Sequence, residues 1–246
     1  MKHPVTVISQ GDRTLRLVSA LLMYDSAQGD VYATTHEIQI DASQPERRVI
    51  GPGAALTKQS LSKFAAAVGV ATAYAGHVPA NLLYTSPNLL AWWVPAAIRN
   101  TWFKAEDAEI GTASGPAAHP ALVFVATPAD WFVFALRESK RPTPRTPLCH
   151  APHFNVWDGG QICTGNVSLP GALSAEALAQ YEAAFFRSHF THPNREGAVK
   201  YQGGMKALWR DQLAGPDQDA MTLALKPAKE NLEAAIKRIS TSAANS

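Results

Sequence analysis

Two apolar runs, Ala121-Leu-Val-Phe-Val-Ala126 and Trp131-Phe-Val-Phe-Ala-Leu136, stand on either side of a four-residue link, Thr127-Pro-Ala-Asp130. Their length and β-branched and aromatic content predict strands, and the link predicts an antiparallel hairpin. Both runs are apolar at every position. A strand exposed on one side would alternate, so this sheet is expected to be covered on both faces. The 246-residue chain can supply that cover: 46% of it is hydrophobic and 17% charged, a balance that argues against a disordered chain. Its length suits one medium domain with an appendage, or two small domains.

Upstream, the first fifty residues read as a small antiparallel meander. Val5–Ile8, Thr14–Tyr24 and Val31–Ile40 are strand-like, and Gln10-Gly11-Asp12 and Ser26–Asp30 are turn-like breaks. Ser43-Gln-Pro45 and Gly51-Pro52-Gly53 predict a loop, and a domain boundary is placed there, giving a β-rich extension over 1–50 and a main domain over 51–239. Thr57–Val68 predicts a helix, with Thr57 as cap and Leu61, Phe64, Ala65 and Val68 on one face. Leu89–Val94 predicts a buried strand ended by Pro95, with Ile98–Lys104 as its partner. Residues 111–120 are rich in small residues and predict a loop. Four prolines between Lys140 and Pro152 predict an irregular connector. A helix is expected from Ser174, with Leu178, Tyr181 and Phe185 on one face. A last helix is expected over about Pro227–Ile239, and then a frayed tail over 240–246. Trp92, Trp93, Trp102 and Trp131 are read as core. The fold class is α+β: an antiparallel sheet with helices before and after it.

Composition also limits function. Twenty-two Lys+Arg against 20 Asp+Glu give a net charge of +2, too small to make nucleic acid or an anionic membrane the expected partner. The basic run Arg137, Lys140, Arg141 and Arg145 reads as solvated surface. No stretch approaches the roughly 18 apolar residues that span a bilayer. The N-terminus lacks the apolar core of a signal peptide, and two cysteines cannot form a disulfide framework, so a cytoplasmic setting is expected.

The stretch that carries chemistry is Ala151-Pro-His153-Phe154-Asn155-Val-Trp-Asp158-Gly159-Gly160-Gln-Ile-Cys163-Thr164-Gly-Asn166. Asp158-Gly-Gly predicts a tight turn that folds the chain back and brings the Asn155 amide near the Cys163 sulfur. A thiol beside a fixed carboxamide suits acyl transfer: sulfur takes the acyl group and the amide donates to the developing oxyanion.

The same stretch resembles the ubiquitin-conjugating enzymes. That family carries His-Pro-Asn, then a glycine turn, then the acceptor Cys eight residues after the Asn. Here Asn155 and Cys163 are eight apart, with Gly159-Gly160 between. More narrowly, Arg141-Pro-Thr-Pro, Thr146-Pro-Leu-Cys149, Ala151-Pro-His-Phe-Asn-Val156 and Gly160-Gln-Ile-Cys-Thr-Gly-Asn166 resemble PRTRC system protein B, a prokaryotic ubiquitin-conjugating-like family. The resemblance is specific over about residues 121–166. It implies a ubiquitin-conjugating-like meander flanked by helices, with Thr57–Val68 as its N-terminal helix. It implies Cys163, Asn155 and His153 as site residues, Cys163 carrying the thioester and His153 mainly bracing the loop.

The implied partners are a ubiquitin-like protein, with the cassette's protein C as one candidate, and a ThiF-like activating enzyme that spends the ATP. The implied setting is a bacterial cassette, often on a mobile element. No metal or organic cofactor is implied. Residues 1–50 are an expected docking surface for the activating enzyme.

The departures are specific. Phe154 replaces the family proline and Thr164 the leucine often found after the acceptor, and no downstream acidic residue marks itself as the group that orients an incoming amine. His192-Pro193-Asn194 is a literal His-Pro-Asn, but Gln202, not a cysteine, lies eight residues after Asn194. Cys149 is read as structural and His150 is left unassigned. Cys149, His150, His153 and Cys163 have the chemistry of a closed zinc site, but adjacent Cys149 and His150 do not form a two-residue knuckle. A cysteine-protease arrangement needs a distant histidine, His119 or His189, that nothing in the sequence marks. The runner-up reading is a catalytically idle adaptor of the same fold that binds a ubiquitin-like protein.

Overall fold

The computed structural model describes residues 9–10, 13–14, 19–25, 31–57, 77–106, 108–165 and 167–244. The chain divides into two compact units, Met1–Ala75 and Gly76–Ser246. Val5–Ile8 and all but the first residue of the expected Thr57–Val68 helix lie outside the described residues.

In the first unit, β1 (Ser9–Gln10) pairs with β2 (Arg13–Thr14), and β3 (Ser19–Asp25), β4 (Val31–Asp41) and β5 (Gln44–Ala55) form an antiparallel meander. The loop expected at 43–53 is instead strand β5, and the expected boundary at residue 50 falls inside it. Pro52 is tolerated because β5 is an edge strand. The glycines serve close approach rather than a break. A Cβ on Gly53 would stand 2.7 Å from Cε1 of His36, and the Gly51 carbonyl accepts from Nδ1 of that ring at 2.8 Å.

The second unit holds a six-stranded antiparallel sheet. Its strands are β6 (Leu82–Ser86), β7 (Leu89–Val94), β10 (Ala121–Ala126), β11 (Trp131–Leu136), β12 (Pro147–His150) and β14 (Pro227–Asn231), in the order β14-β12-β11-β10-β7-β6. The expected hairpin is β10–β11, with Ala121 opposite Leu136 and Ala126 opposite Trp131. Both faces are covered. Leu122, Phe124 and Ala126 enter one core with Leu178, Tyr181 and Phe185 of α1 (Leu178–Phe186) and Met205, Leu208 and Trp209 of α2 (Gly204–Ala214). Ala121, Val123 and Val125 enter a second with Leu232, Ala235 and Ile239 of α4 (Leu232–Ala244). Each large apolar side chain buried this way contributes about 1.5–3 kcal/mol relative to exposure.

A second sheet, β13-β8-β9, joins β8 (Ala97–Lys104), β9 (Thr112–His119) and β13 (His189–Phe190). Strand β8 pairs with β9, not with β7 as the sequence suggested, and β13 runs parallel to β8. The small residues expected to make 111–120 a loop form edge strand β9, where Pro116 disturbs no outer ladder. Helix α2 approaches that strand: the Ala118 N–H donates to Gln212 Oε1 at 3.3 Å, and a Cβ on Gly115 would meet Leu213 at 3.8 Å.

Three further boundaries differ from expectation. The proline-rich connector contains β12, which accepts Pro147 as its first residue and places Cys149 opposite Ala135. Pro227–Asn231, expected as the start of the last helix, pairs with β12 as β14. Helix α4 continues to Ala244, through most of the expected tail. The helix after Ser174 is present with its predicted face buried, although Ser174 leads into a 3-10 turn (Ala175–Ala177) without a side-chain cap bond. Short α3 (Gln218–Leu223) is capped by Asp217, whose carboxylate accepts from the Asp219 and Ala220 N–H groups at 3.0 and 2.9 Å.

Candidate functional site

After β12 the chain enters a tight hairpin. Asn155 adopts φ +61°, a left-handed conformation that asparagine tolerates better than most residues. Val156 bridges Ile162, the Trp157 N–H donates to the Gln161 carbonyl at 2.8 Å, and the Cys163 N–H donates to the Asn155 carbonyl at 2.7 Å. The Asp158-Gly-Gly segment supplies the return as a one-turn 3-10 helix, with Gly159 and Gly160 at φ +81° and +89°. The turn thus joins residues 155 and 163 through their backbones, while the hydrogen bonds of the Asn155 carboxamide go to residues 189–192.

The turn is fixed from several sides. Asp158 meets Arg195 at 2.8 Å, Arg238 donates to the Gly159 carbonyl at 3.2 Å, and Gln161 donates to Asp130 at 2.7 Å. Gly160 packs against the β11 edge: a Cβ there would lie 2.8 Å from the Phe134 ring and 3.0 Å from the Val133 carbonyl. Gly160→Ala is accordingly expected to cost about 2–4 kcal/mol, from left-handed strain plus overpacking. A urea titration would measure it, and a loss below about 0.5 kcal/mol would contradict this packing.

Cys163 is half-buried and lines a cleft of about 1510 Å³ together with Asn155, Trp131, Phe185, Thr191 and His192. The Asn155 carboxamide is held by the far wall. Its Nδ2 donates to the His189 carbonyl at 2.9 Å, and its Oδ1 accepts from the Thr191 N–H at 3.1 Å, the Thr191 hydroxyl at 2.8 Å and the His192 N–H at 3.4 Å. These partners leave one amide orientation, because the oxygen faces backbone donors and the nitrogen a carbonyl. The Asn155 N–H also donates to the His192 carbonyl at 2.9 Å. The backbones of His192, Asn155 and Cys163 thus lie side by side, with Asn155 in the middle.

His153 is elsewhere. It is 1% exposed, its Nε2 lies 3.0 Å from Nδ1 of His119, and it packs among the rings of Phe185, Phe190 and Trp209. The Thr101 hydroxyl, 3.3 Å from the Arg99 carbonyl, reaches His119 Nε2 at 2.7 Å. With that hydroxyl donating to Arg99, each histidine carries its proton on Nε2, His119 donating to the Thr101 oxygen and His153 to Nδ1 of His119. Only the Nδ1 lone pair of His153 is left without a partner, an orphan acceptor rather than a costlier orphan donor. Burial, then the Arg99 charge, lowers the His119 pKa to about 3, and burial, then His119, holds that of His153 well below the ordinary value. Phe154, in place of the proline, is fully buried and meets Phe103 edge-on at 5.4 Å, so an aromatic anchor holds this end of the loop.

The four residues of the zinc reading have separate partners. Cys149 is buried on β12, and burial pushes its thiol up against the opposing influence of Arg137. His150 contacts Arg195 through Nδ1, and burial followed by the Arg195 charge lowers it to about 4. Among the described residues no group of three or more His, Cys, Asp or Glu is placed to hold a metal, and no helix is long and apolar enough to cross a membrane. The basic run is exposed at Arg137, Lys140, Arg141 and Arg145, as expected, and two of its members also tie segments together: Arg137 donates to the Leu225 carbonyl at 3.0 Å and Arg141 to that of Leu82 at 2.7 Å.

No local signal marks residues 189–193 as the far wall of this cleft. The literal His192-Pro193 of the second His-Pro-Asn lies in it, though not as the motif that precedes the cysteine. His189 also lines it, whereas His119 is interior with His153. A parallel pairing such as β13–β8 leaves no local signal in sequence, because its partners are far apart along the chain.

No curated protein and no solved structure is significantly similar to the chain. The model of prokaryotic E2 family D matches residues 57–228, well over half of the sequence, and covers β6–β13, the turn, the cysteine and the far wall. With the His-x-Asn…Cys spacing and the hairpin that pairs residues 155 and 163, this match supports a prokaryotic E2-like, PRTRC-type protein: the chain belongs to prokaryotic E2 family D.

Proposed function

We propose that this protein is a ubiquitin-conjugating-like acyl carrier, with the six-stranded meander as its E2-like core. The observation that carries the reading is the pairing of Cys163 with Asn155 across a rigid turn, both lining one cleft, in a chain of an E2 family. The C-terminal carbonyl of a ubiquitin-like protein passes from the thiol of a ThiF-like activating enzyme to Cys163 Sγ. One C–S bond forms as another breaks, so the exchange is nearly neutral in energy and needs orientation and an oxyanion donor more than a strong base. An amine then attacks the carbonyl and the Cys163 thiolate leaves.

Asn155 is the proposed donor. Its NH2 group has two hydrogens, one of which goes to the His189 carbonyl, and the other serves the oxyanion. His153, buried and neutral, supports the loop that carries Asn155. The adaptor reading draws on the same carboxamide, whose bonds to residues 189–192 also suit a purely bracing role.

The experiment is reconstitution with the cassette's activating enzyme, its ubiquitin-like protein and ATP, read on a non-reducing gel and by intact mass. The carrier reading expects a reductant-sensitive adduct that Cys163→Ala abolishes while docking persists. Docking without an adduct on the wild type would establish the adaptor instead.

A further inference from the structure

We propose that His192 accepts the proton of the incoming amine, deepening and resting on the carrier reading above. The Thr191 Oγ1 hydrogen is committed to Asn155 Oδ1 at 2.8 Å, because a carboxamide oxygen can only accept. The same oxygen lies 2.9 Å from Nδ1 of His192. With its hydrogen spent, the hydroxyl can only accept there, so Nδ1 of His192 bears the proton. In the neutral ring Nε2 is then the free lone pair. That is the tautomer a proton acceptor needs, and taking up a proton requires no rearrangement, since Nδ1–H already has its acceptor.

Placement agrees. The His192 ring is exposed and lines the Cys163 cleft. Two backbone steps separate residues 163 and 192, through Asn155, or about 10 Å at usual inter-strand spacing. Both residues line the one cleft through which an amine reaches a carbonyl held on Sγ. Nitrogen bonds to the carbonyl carbon, its proton passes to His192 Nε2, the C–S bond breaks, and the thiolate leaves. The imidazolium then returns its proton to solvent or to the departing thiolate. The chain thus has an amine-activating group where the sequence offered no acidic one.

The test loads the full-length protein with a glycylglycine thioester of mercaptoethanesulfonate and follows loss of the acyl-protein by intact mass. Lysine and hydroxylamine are compared as acceptors. His192→Gln keeps a polar side chain of similar reach but has no basic nitrogen to accept a proton. It is expected to load as the wild type does, to discharge to lysine about 10–100-fold more slowly, and to discharge to the weakly basic hydroxylamine almost unchanged. Thr191→Val, which frees the ring to turn, is expected to show the same selective loss to a smaller degree. Discharge of His192→Gln to lysine at the wild-type rate, or equal slowing with both amines, would overturn the role of His192 and leave the carrier reading standing. Failure of the wild type to load would remove both.

Discussion

Asn155→Ala is expected to slow acyl transfer through Cys163 by about 10²–10³-fold, the usual loss when an oxyanion donor is removed. The same change releases the far wall. Four hydrogen bonds run from this carboxamide to residues 189–192, and alanine at φ +61° is less comfortable than asparagine. A stability loss of about 1–3 kcal/mol should therefore accompany the kinetic one. The two effects separate in Thr191→Val, which removes one brace from Asn155 and leaves its Nδ2 in place. If Asn155 acts only as a brace, the two variants should lose thioester formation in proportion to their stability. If it donates to the oxyanion, Asn155→Ala should lose far more. Single-turnover charging alongside urea titration makes the comparison, and proportional losses would count against the donor role.

Acid should unfold this protein unusually early. His119 and His153 are buried and neutral, with pKa values lowered to about 3 for the first and well below the ordinary value for the second. In the unfolded chain both return to about 6.5. Between these limits the unfolded state binds protons that the folded state refuses, so stability is full above about pH 6.5 and falls as pH falls. Each histidine contributes a slope of up to about 1.4 kcal/mol per pH unit, so the pair should cost ~4 kcal/mol between pH 7 and pH 5. Most carboxylates stay ionised over that window, so the loss is a histidine effect, to which half-buried His150, lowered to about 4, adds in the same direction. Urea titrations at the two pH values measure it, and equal stabilities would contradict the buried, neutral pair.

The parts of the fold legible in sequence were those with local signals. The β10–β11 hairpin had two continuous apolar runs and a short link, and both faces proved covered. The Leu178, Tyr181 and Phe185 face has helical spacing, and so do Met205, Leu208, Trp209 and Gln212 of α2, which opens on a Gly203-Gly204 pair that obscures it in sequence. Strands β5 and β9 are hidden because glycine, alanine and proline read as breaks in sequence whatever their place in a sheet. In β9 and β5 the small residues admit a helix and a histidine ring, and the prolines occupy edges.

The site divides along the same line. Asn155, the glycine turn and Cys163 lie within nine consecutive residues, so spacing alone suggested their meeting. His119 with His153, and Thr191 and His192 with Asn155, are joined only by tertiary packing, across 34 to 37 residues. No periodicity reports a contact of that kind.

The most direct measurement is peptide mapping of the acyl-loaded protein after reconstituted charging without reductant. The account predicts the modification on the peptide containing Cys163, none on that containing Cys149, and its loss on treatment with a thiol. Modification of Cys149, or an unmodified Cys163 under conditions that charge the activating enzyme, would contradict it.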